Sequence, residues 1–104
     1  MRETGRGGLE EYFVKRVAAL GGHRRKVKFI GRKGAPDQLV KMPKWRKAKF
    51  VELKKPKGGV LAEIQKREHN RLRKHFGFEV LVAYTKEEVD QSLVGGSNAT
   101  KNSQ

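Results

Sequence analysis

Two carboxylates stand alone in the most basic part of this 104-residue sequence. Between Arg24 and Lys57 there are fourteen Lys or Arg residues, and the only acidic residues are Asp37 and Glu52. Two carboxylates that lie close together repel each other unless a cation sits between them, and such oxygen ligands suit Mg²⁺ or Mn²⁺. Lys54 adds an ammonium group that could stabilise charge on a phosphate. The pattern is typical of metal-assisted phosphodiester hydrolysis.

A β-hairpin would bring these residues together. It is predicted from three consecutive stretches, namely the strand Gln38–Met42, the turn Pro43–Ala48 and the strand Lys49–Lys55. Side chains alternate along a strand, so Glu52 and Lys54 project to the same face. The start of the first strand then lies beside the later part of the second, which places Asp37 near Glu52.

The same residues also have an ordinary structural interpretation. Asp37 follows Pro36 and could simply be a turn residue. Glu52 and Lys54 could form an exposed ion pair, which contributes little to stability. A pair of acids alone would favour this interpretation, but their isolation in so basic a segment favours a functional site.

Helices are predicted on both sides of the hairpin in the sequence. Leu9, Phe13, Val17 and Leu20 share one face of a first helix, which Gly21-Gly22 ends. A basic strand follows over residues 24–30, and a second helix runs from about residue 61 to 75. Its predicted core face consists of Leu61, Ile64, Leu72 and Phe76.

The C-terminal part predicts one more strand and one more helix. Residues 78–84, "FEVLVAY", are apolar at consecutive positions apart from Glu79, which indicates a strand buried on both faces in the interior of a sheet. Thr85 is the predicted N-cap of the last helix, with Glu87 and Glu88 in its first turn. The last strand should be parallel to its partner, through a right-handed crossover.

The predicted fold class is therefore α/β, with a mixed sheet of about four strands flanked by helices in the order αβββαβα. We expect a flexible segment over residues 1–8, one domain over residues 9–94 and a disordered tail over residues 95–104. The length suits one domain with one modest core.

Charge narrows the choice of partners. The net charge is +14, and residues 1–57 carry +13 of it. Such a concentrated basic field predicts a polyanionic partner, most often nucleic acid. The absence of cysteine excludes disulfides, thiolate metal sites and a cysteine nucleophile. With no apolar run suited to a signal peptide or membrane span, we expect a cytoplasmic protein that is not secreted.

Several residues are candidate DNA contacts. The basic candidates in and around the predicted strands are Arg24, Arg25, Lys26, Lys28, Arg32, Lys33, Lys55 and Lys57. The three histidines have no metal-ligand spacing, and we expect His23, His69 and His75 at the surface or against DNA. Trp45 could stack on a base or contact a second subunit, although packing within its turn is the commoner role.

The motifs together resemble those of a known family. Gly34-Ala35-Pro36-Asp37 and Glu52-Leu53-Lys54 are similar to the PD-(D/E)XK nuclease motif. The stretches "LEEYFVKRVAALGG", "RRKVKFIGRKGAPDQLV", "KFVELKKP" and "LAEIQKREHNRL" follow the order found in the virus-type replication-repair nuclease (VRR-NUC) domain. The resemblance covers about residues 9–90.

The resemblance implies a role for each matching position. Asp37 and Glu52 would bind the metal with the Leu53 carbonyl, and Lys54 would be the catalytic lysine. Glu10, rather than its neighbour Glu11, would be the helix glutamate near the metal. Gln65 would face the site from the second helix.

The resemblance also implies a structure-selective DNA endonuclease that uses Mg²⁺ or Mn²⁺. A stand-alone phage-like member would act on branched DNA, such as a Holliday junction, as a homodimer without a nucleotide cofactor. Two alternatives remain open at this point. One is a nucleic-acid-binding protein without catalysis, and the other is a flap or exonuclease of the same superfamily.

Overall fold

The computed structural model describes residues 5–54 and 61–94, and the side chains from residue 8 onward. The described elements follow the predicted order αβββαβα. They are α1 (Gly5–Ala19), β1 (His23–Lys26), β2 (Gln38–Lys41), β3 (Lys49–Leu53), α2 (Glu63–Lys74), β4 (Val80–Ala83) and α3 (Lys86–Val94). The predicted fold class is confirmed.

The four strands form one mixed sheet in the order β1-β2-β3-β4. Strand β2 is antiparallel to both β1 and β3, and Gln38 lies opposite Val51. Strand β4 is parallel to β3, with Phe50 opposite Val80. The hairpin and the parallel last strand are confirmed.

The predicted interior position of the last strand is wrong, because β4 lies at an edge of the described sheet. Its apolar run has a different cause. Helix α2 and helix α3 both contact β4, and Val80 and Ala83 belong to two different apolar clusters. An edge strand covered on both faces requires apolar residues at consecutive positions, as a central strand does.

One face of the sheet is covered by α1 and α3 and carries the larger apolar cluster. Residues from both helices and from β2, β3 and β4 form this larger cluster: Leu9, Phe13, Val17, Val40, Met42, Trp45, Val51, Ala83, Val89 and Leu93. The helical spacing in α1 therefore identified its buried face. Trp45 is only 6% exposed, so it packs within the protein, as its commoner role predicts.

The other face is covered by α2, whose predicted core face is largely wrong. Ile64 and Phe76 are 46% and 68% exposed. The buried residues of this helix are Glu68, His69 and Leu72. The apolar residues of α2 are few, and the side that meets the sheet is mostly polar because it faces the charged end of β3.

Local hydrogen bonds fix the end of α1 and the start of α3. The Gly22 N–H donates to the Val17 carbonyl at 2.8 Å, and Gly21 has a φ of 85°, which closes the end of α1 as predicted. The Thr85 hydroxyl accepts from the Glu88 N–H at 3.1 Å, so Thr85 caps α3.

Some predicted boundaries differ from the structure. Helix α1 begins at Gly5, four residues before the predicted Leu9, since a helix anchored by packing extends along its backbone hydrogen bonds. Strand β1 ends at Lys26, and Ile30 is 91% exposed. Residues 1–4, 55–60 and 95–104, with the predicted tail and the end of the third strand, lie outside the described residues. None of the described helices is long and apolar enough to span a bilayer.

Candidate active site

Glu52 and Lys54 lie at the end of β3 on the face that α2 covers. Gln65, in the first turn of α2, connects them. The Lys54 ammonium donates to Gln65 Oε1 at 3.3 Å, and Gln65 Nε2 donates to Glu52 Oε2 at 3.4 Å. Gln65 Oε1 also accepts from the Ala62 N–H at 2.9 Å, so it caps the helix. The start of α2 thus fixes the two charged groups relative to each other.

Asp37 is brought beside Glu52 by the register of the hairpin. Gln38 pairs with Val51, so the preceding residue of β2 comes opposite the following residue of β3. The Val27 N–H donates to the Asp37 carbonyl at 2.9 Å, which holds the backbone of Asp37 to the end of β1. The Asp37 side chain is about half exposed, at 48%.

Gly34 allows the loop before Asp37 to approach α2. Its φ is 86°, and a Cβ at this position would lie 2.8 Å from the Ile64 carbonyl oxygen and 3.1 Å from Gln65 Cα. Only glycine fits so close to backbone atoms in this conformation. The loop is therefore packed directly on the helix that carries Gln65.

Glu10 belongs to the neighbouring face of the sheet. Its Oε2 accepts from Gln38 Nε2 at 2.9 Å and from Lys26 Nζ at 2.5 Å. Gln38 is 1% exposed and accepts in turn from Arg24 at 2.7 Å. Glu11, by contrast, has a side chain that is 68% exposed and pairs with a lysine one turn along the helix. The structure therefore directs Glu10 to the end of β2 and Glu11 to solvent.

Lys26 joins this group to Asp37. Its Nζ lies 3.5 Å from Asp37 Oδ2 in addition to its contact with Glu10. The hydrogen bond to Glu10 raises the pKa of Lys26, and the nearby Asp37 charge also raises it, against the opposing effect of burial. Lys26 therefore keeps its charge at neutral pH and offsets the repulsion between the carboxylates of Glu10 and Asp37.

His69 is buried beneath Glu52, so the prediction of a surface or DNA-contacting histidine is wrong at this position. Its side chain is 1% exposed, and its Nε2 lies 3.7 Å from Glu52 Oε1. The buried Glu52 Oε1 and both His69 ring nitrogens have no hydrogen-bond partner among the described residues. The sequence does not indicate this burial, because the residues around His69 in α2 are polar.

Known proteins are similar to this chain in sequence and in fold. A scan against models of protein families returned no match. A protein named "Putative nuclease p44" from Acyrthosiphon pisum secondary endosymbiont phage 1 is 40% identical over 72 residues, which cover 69% of this chain and 75% of that protein. A solved structure named VRR_NUC domain aligns with a TM-score of 0.75 and 40% identity, over 86% of this chain and 95% of that one.

The chain belongs to the VRR-NUC family. Its mixed sheet with flanking helices is the PD-(D/E)XK nuclease fold. Within that fold, Asp37, Glu52 and Lys54 occupy the end of the β2–β3 hairpin, and Gln65 faces them from α2.

The donor set of this VRR-NUC site is suited to a hard cation. Glu52 offers a buried carboxylate oxygen with no hydrogen-bond partner among the described residues, and the hairpin register places the half-exposed Asp37 carboxylate opposite it. Oxygen ligands favour Mg²⁺ or Mn²⁺. The described residues contain no group of three His, Cys, Asp or Glu side chains placed to hold a metal ion.

The candidate DNA contacts divide into three kinds. Three of them already donate a hydrogen bond to another side chain of the protein. Arg24 donates to Gln38, Lys26 to Glu10 and Arg32 to Glu68. Arg25, Lys28 and Lys33 are exposed, as Lys26 and Arg32 also are. Lys55 and Lys57 lie outside the described residues.

The sequence did not identify two residues that contact candidate site residues. Gln38 positions Glu10, but a glutamine at the start of a strand gives no signal until its partner is known. His69 lies against Glu52, and its only signal was its place on the same helical side as Gln65, four residues earlier.

Proposed function

We propose that this protein is a divalent-metal-dependent DNA endonuclease that cleaves four-way junctions as a homodimer. The observation that carries the proposal is the arrangement at the end of β3. Glu52 has a buried oxygen with no hydrogen-bond partner among the described residues, Lys54 is joined to the Glu52 carboxylate through Gln65, and Asp37 lies opposite in the hairpin. A relative from a phage supports action in the cytoplasm of a bacterial or phage-infected cell.

Asp37, Glu52 and the Leu53 carbonyl would hold Mg²⁺ or Mn²⁺. A bound ion of this kind polarises a phosphoryl oxygen and lowers the pKa of water. Lys54 would place its positive charge beside the scissile phosphate and stabilise the charge that develops there. Gln65 would keep Glu52 and Lys54 at a fixed separation, because it contacts both.

Glu10 would act from the adjacent face of the sheet. Its carboxylate is fixed by Gln38 and Lys26 near Asp37. It would orient water or a further ligand at the edge of the site. The exposed basic residues of the N-terminal half would hold the DNA backbone without reading its sequence.

A homodimer suits the proposed substrate. A four-way junction requires two symmetric cuts, and a two-fold axis through two copies of one domain would supply them. The net charge of +14 on 104 residues favours a large polyanionic substrate.

A substrate panel tests this proposal. Labelled four-way junction, flap and linear duplex would each be incubated with Mg²⁺, Mn²⁺ or EDTA. We expect paired cuts in the junction that require a divalent ion. Lys54→Ala should lower the rate by about 10²–10³-fold, as does the loss of one transition-state contact in other enzymes. Lys15→Ala, which removes an exposed lysine of α1, is the matched control.

Each other outcome has a clear meaning. Equal cleavage by Lys54→Ala or Asp37→Ala and by the wild type would exclude this site. Junction binding without cleavage under any metal would indicate a non-catalytic binding protein. Preferred cleavage of the flap or of duplex ends would replace the resolvase with another nuclease of the superfamily. A monomer at assay concentration in a sedimentation measurement would exclude the homodimer.

A further inference from the structure

We infer that the end of the sheet opposite the candidate active site binds an unpaired base of DNA. A groove of about 590 Å³ lies there, between the β2–β3 turn and the segment that joins α2 to β4. Its lining includes Lys44, Trp45, Arg46, Lys47, Phe76 and Phe78. The inference rests on the proposed function in taking the nucleic acid to be DNA, but it concerns a second site.

Two aromatic rings at this groove are exposed and stacked. Phe76 is 68% exposed and Phe78 is 41% exposed. Their ring centroids lie 6.4 Å apart with an angle of 17° between the planes. Gly77 separates them in a left-handed conformation with a φ of 75°, which places both rings at one turn. Most of the Phe76 side chain is therefore accessible to a further stacking partner.

The stack is anchored in the protein. Phe78 packs edge to face on Phe50 at 5.0 Å, and Phe50 packs on Phe29 at 5.5 Å. The row of rings therefore runs from the smaller apolar cluster beneath α2 out to the solvent. A rigid aromatic platform loses little conformational entropy on binding, and base–aromatic stacking is independent of sequence.

Charge around the platform favours a polyanion. Lys44, Arg46 and Lys47 are exposed on the turn that forms one wall of the groove. The acidic residue of the lining, Glu79, already forms an ion pair with Lys49 at 2.8 Å. The exposed positive charges are thus set to contact phosphates that flank a stacked base.

Trp45 forms part of the groove wall from inside the protein. Its side chain lines the groove, is only 6% exposed and lies against Lys49, whose Nζ is 4.3 Å from the ring centroid. A ligand in the groove would therefore change the surroundings of this ring.

The groove is separate from the candidate active site. It lies at the Lys49 end of β3, whereas Glu52 lies three residues farther along the strand, which corresponds to ~10 Å. A strand that is unpaired at this point could thus reach the site at the other end of the sheet. The groove would hold a base that is unpaired at the branch point of the proposed substrate.

Binding measurements without cleavage test this inference. A labelled oligothymidine and a duplex of equal length would be titrated with the full chain in EDTA. Phe76→Ala should weaken oligothymidine binding by about tenfold, since one stacked base contributes roughly 1–3 kcal/mol. Duplex binding should change by less than about twofold, because duplex bases are not available for stacking. Ile30→Ala, which removes another exposed apolar side chain, should change neither.

Further variants separate stacking from charge and from misfolding. Phe76→Leu should behave like Phe76→Ala, and Phe76→Trp should retain the affinity. Lys47→Ala should reduce the salt dependence of oligothymidine binding by about 0.7 in log–log slope, whereas Phe76→Ala should leave it unchanged. Because Trp45 is the sole tryptophan in the sequence, its fluorescence should change on titration with oligothymidine.

Three results would overturn the inference. They are an equal loss of oligothymidine and duplex binding in Phe76→Ala, no loss of either, or a change from dimer to monomer with unchanged affinity per subunit. The last result would assign the groove to a second copy of the chain. If the wild type cleaves no DNA but Phe76→Ala selectively loses oligothymidine, the proposed nuclease function fails and the groove assignment remains.

Discussion

The two faces of the sheet are built from different chemistry. The face beneath α1 and α3 holds ten buried apolar residues, including Phe13 and Val51, beside the buried Gln38 and Lys49. The face beneath α2 holds only three buried apolar residues, and beside them lie the buried Glu68 and His69. Burial of polar groups without full hydrogen bonding costs free energy. We conclude that the first face stabilises the fold, and that the second gives up stability to position charged groups.

The largest expected effect tests the apolar face. Phe13→Ala should destabilise the protein by about 3–5 kcal/mol, because it removes a fully buried ring from the larger cluster. Urea unfolding followed by circular dichroism measures this loss. A domain of this kind has a total stability of about 5–15 kcal/mol, so a loss under about 1 kcal/mol would show that this face is not the main core.

The next effect tests how closely the two parts of the active site are packed. Gly34→Ala should destabilise the protein by about 1–3 kcal/mol more than Gly31→Ala. Both glycines have a positive φ, but only Gly34 would place a Cβ against the backbone of α2. Thermal unfolding of both variants gives the comparison. Equal destabilisation would contradict the close approach of the loop to the helix.

Substitution of His69, which lies beneath the active site, should change stability little and activity more. His69→Leu should alter stability by less than about 1 kcal/mol, because it puts an apolar side chain in place of a buried ring whose nitrogens have no hydrogen-bond partner among the described residues. Junction cleavage should nevertheless fall by at least about tenfold, since His69 packs against Glu52 and small displacements of catalytic groups are costly. A large loss of stability with normal activity per folded molecule would reverse the comparison between the faces.

The smallest effect concerns Lys26. Its pKa is raised, so its contribution to stability is complete below the usual lysine value of about 10.4 and is lost as the pH rises through the higher folded value. Lys26→Met should therefore cost less than about 1 kcal/mol near neutral pH, because the group is half exposed. In strongly alkaline buffer the wild type and the variant should become equal. A difference that persists there would mean that packing, not charge, explains the effect.

The sequence predicted the apolar face better than the polar one for a physical reason. The helical spacing of Leu9, Phe13 and Val17 marks a buried side, because burial of an apolar side chain is favourable whatever its partner. Glu68 and His69 are types that usually lie in solvent, so their burial depends on partners from distant segments. The apolar run of β4 fits an edge strand under two helices as well as a central strand.

Part of the geometry of the candidate site was predictable as well. Alternation predicted that Glu52 and Lys54 share a face, and the hairpin predicted that Asp37 lies opposite Glu52, because both depend only on local geometry. The roles of these residues stay predictions. The exposed aromatic pair at Phe76 and Phe78 could not be distinguished from core residues by sequence. Apolar type does not reveal which helical side the sheet covers.

Metal binding by Glu52 is the most direct test of the central claim. Mn²⁺ would be titrated into the wild type, Glu52→Gln and the control Glu11→Gln, with binding followed by calorimetry in the absence of DNA. We expect the wild type and Glu11→Gln to bind Mn²⁺ with the same affinity, and Glu52→Gln to lose at least about tenfold. Equal affinity in Glu52→Gln and the wild type would contradict a cation site at the end of β3.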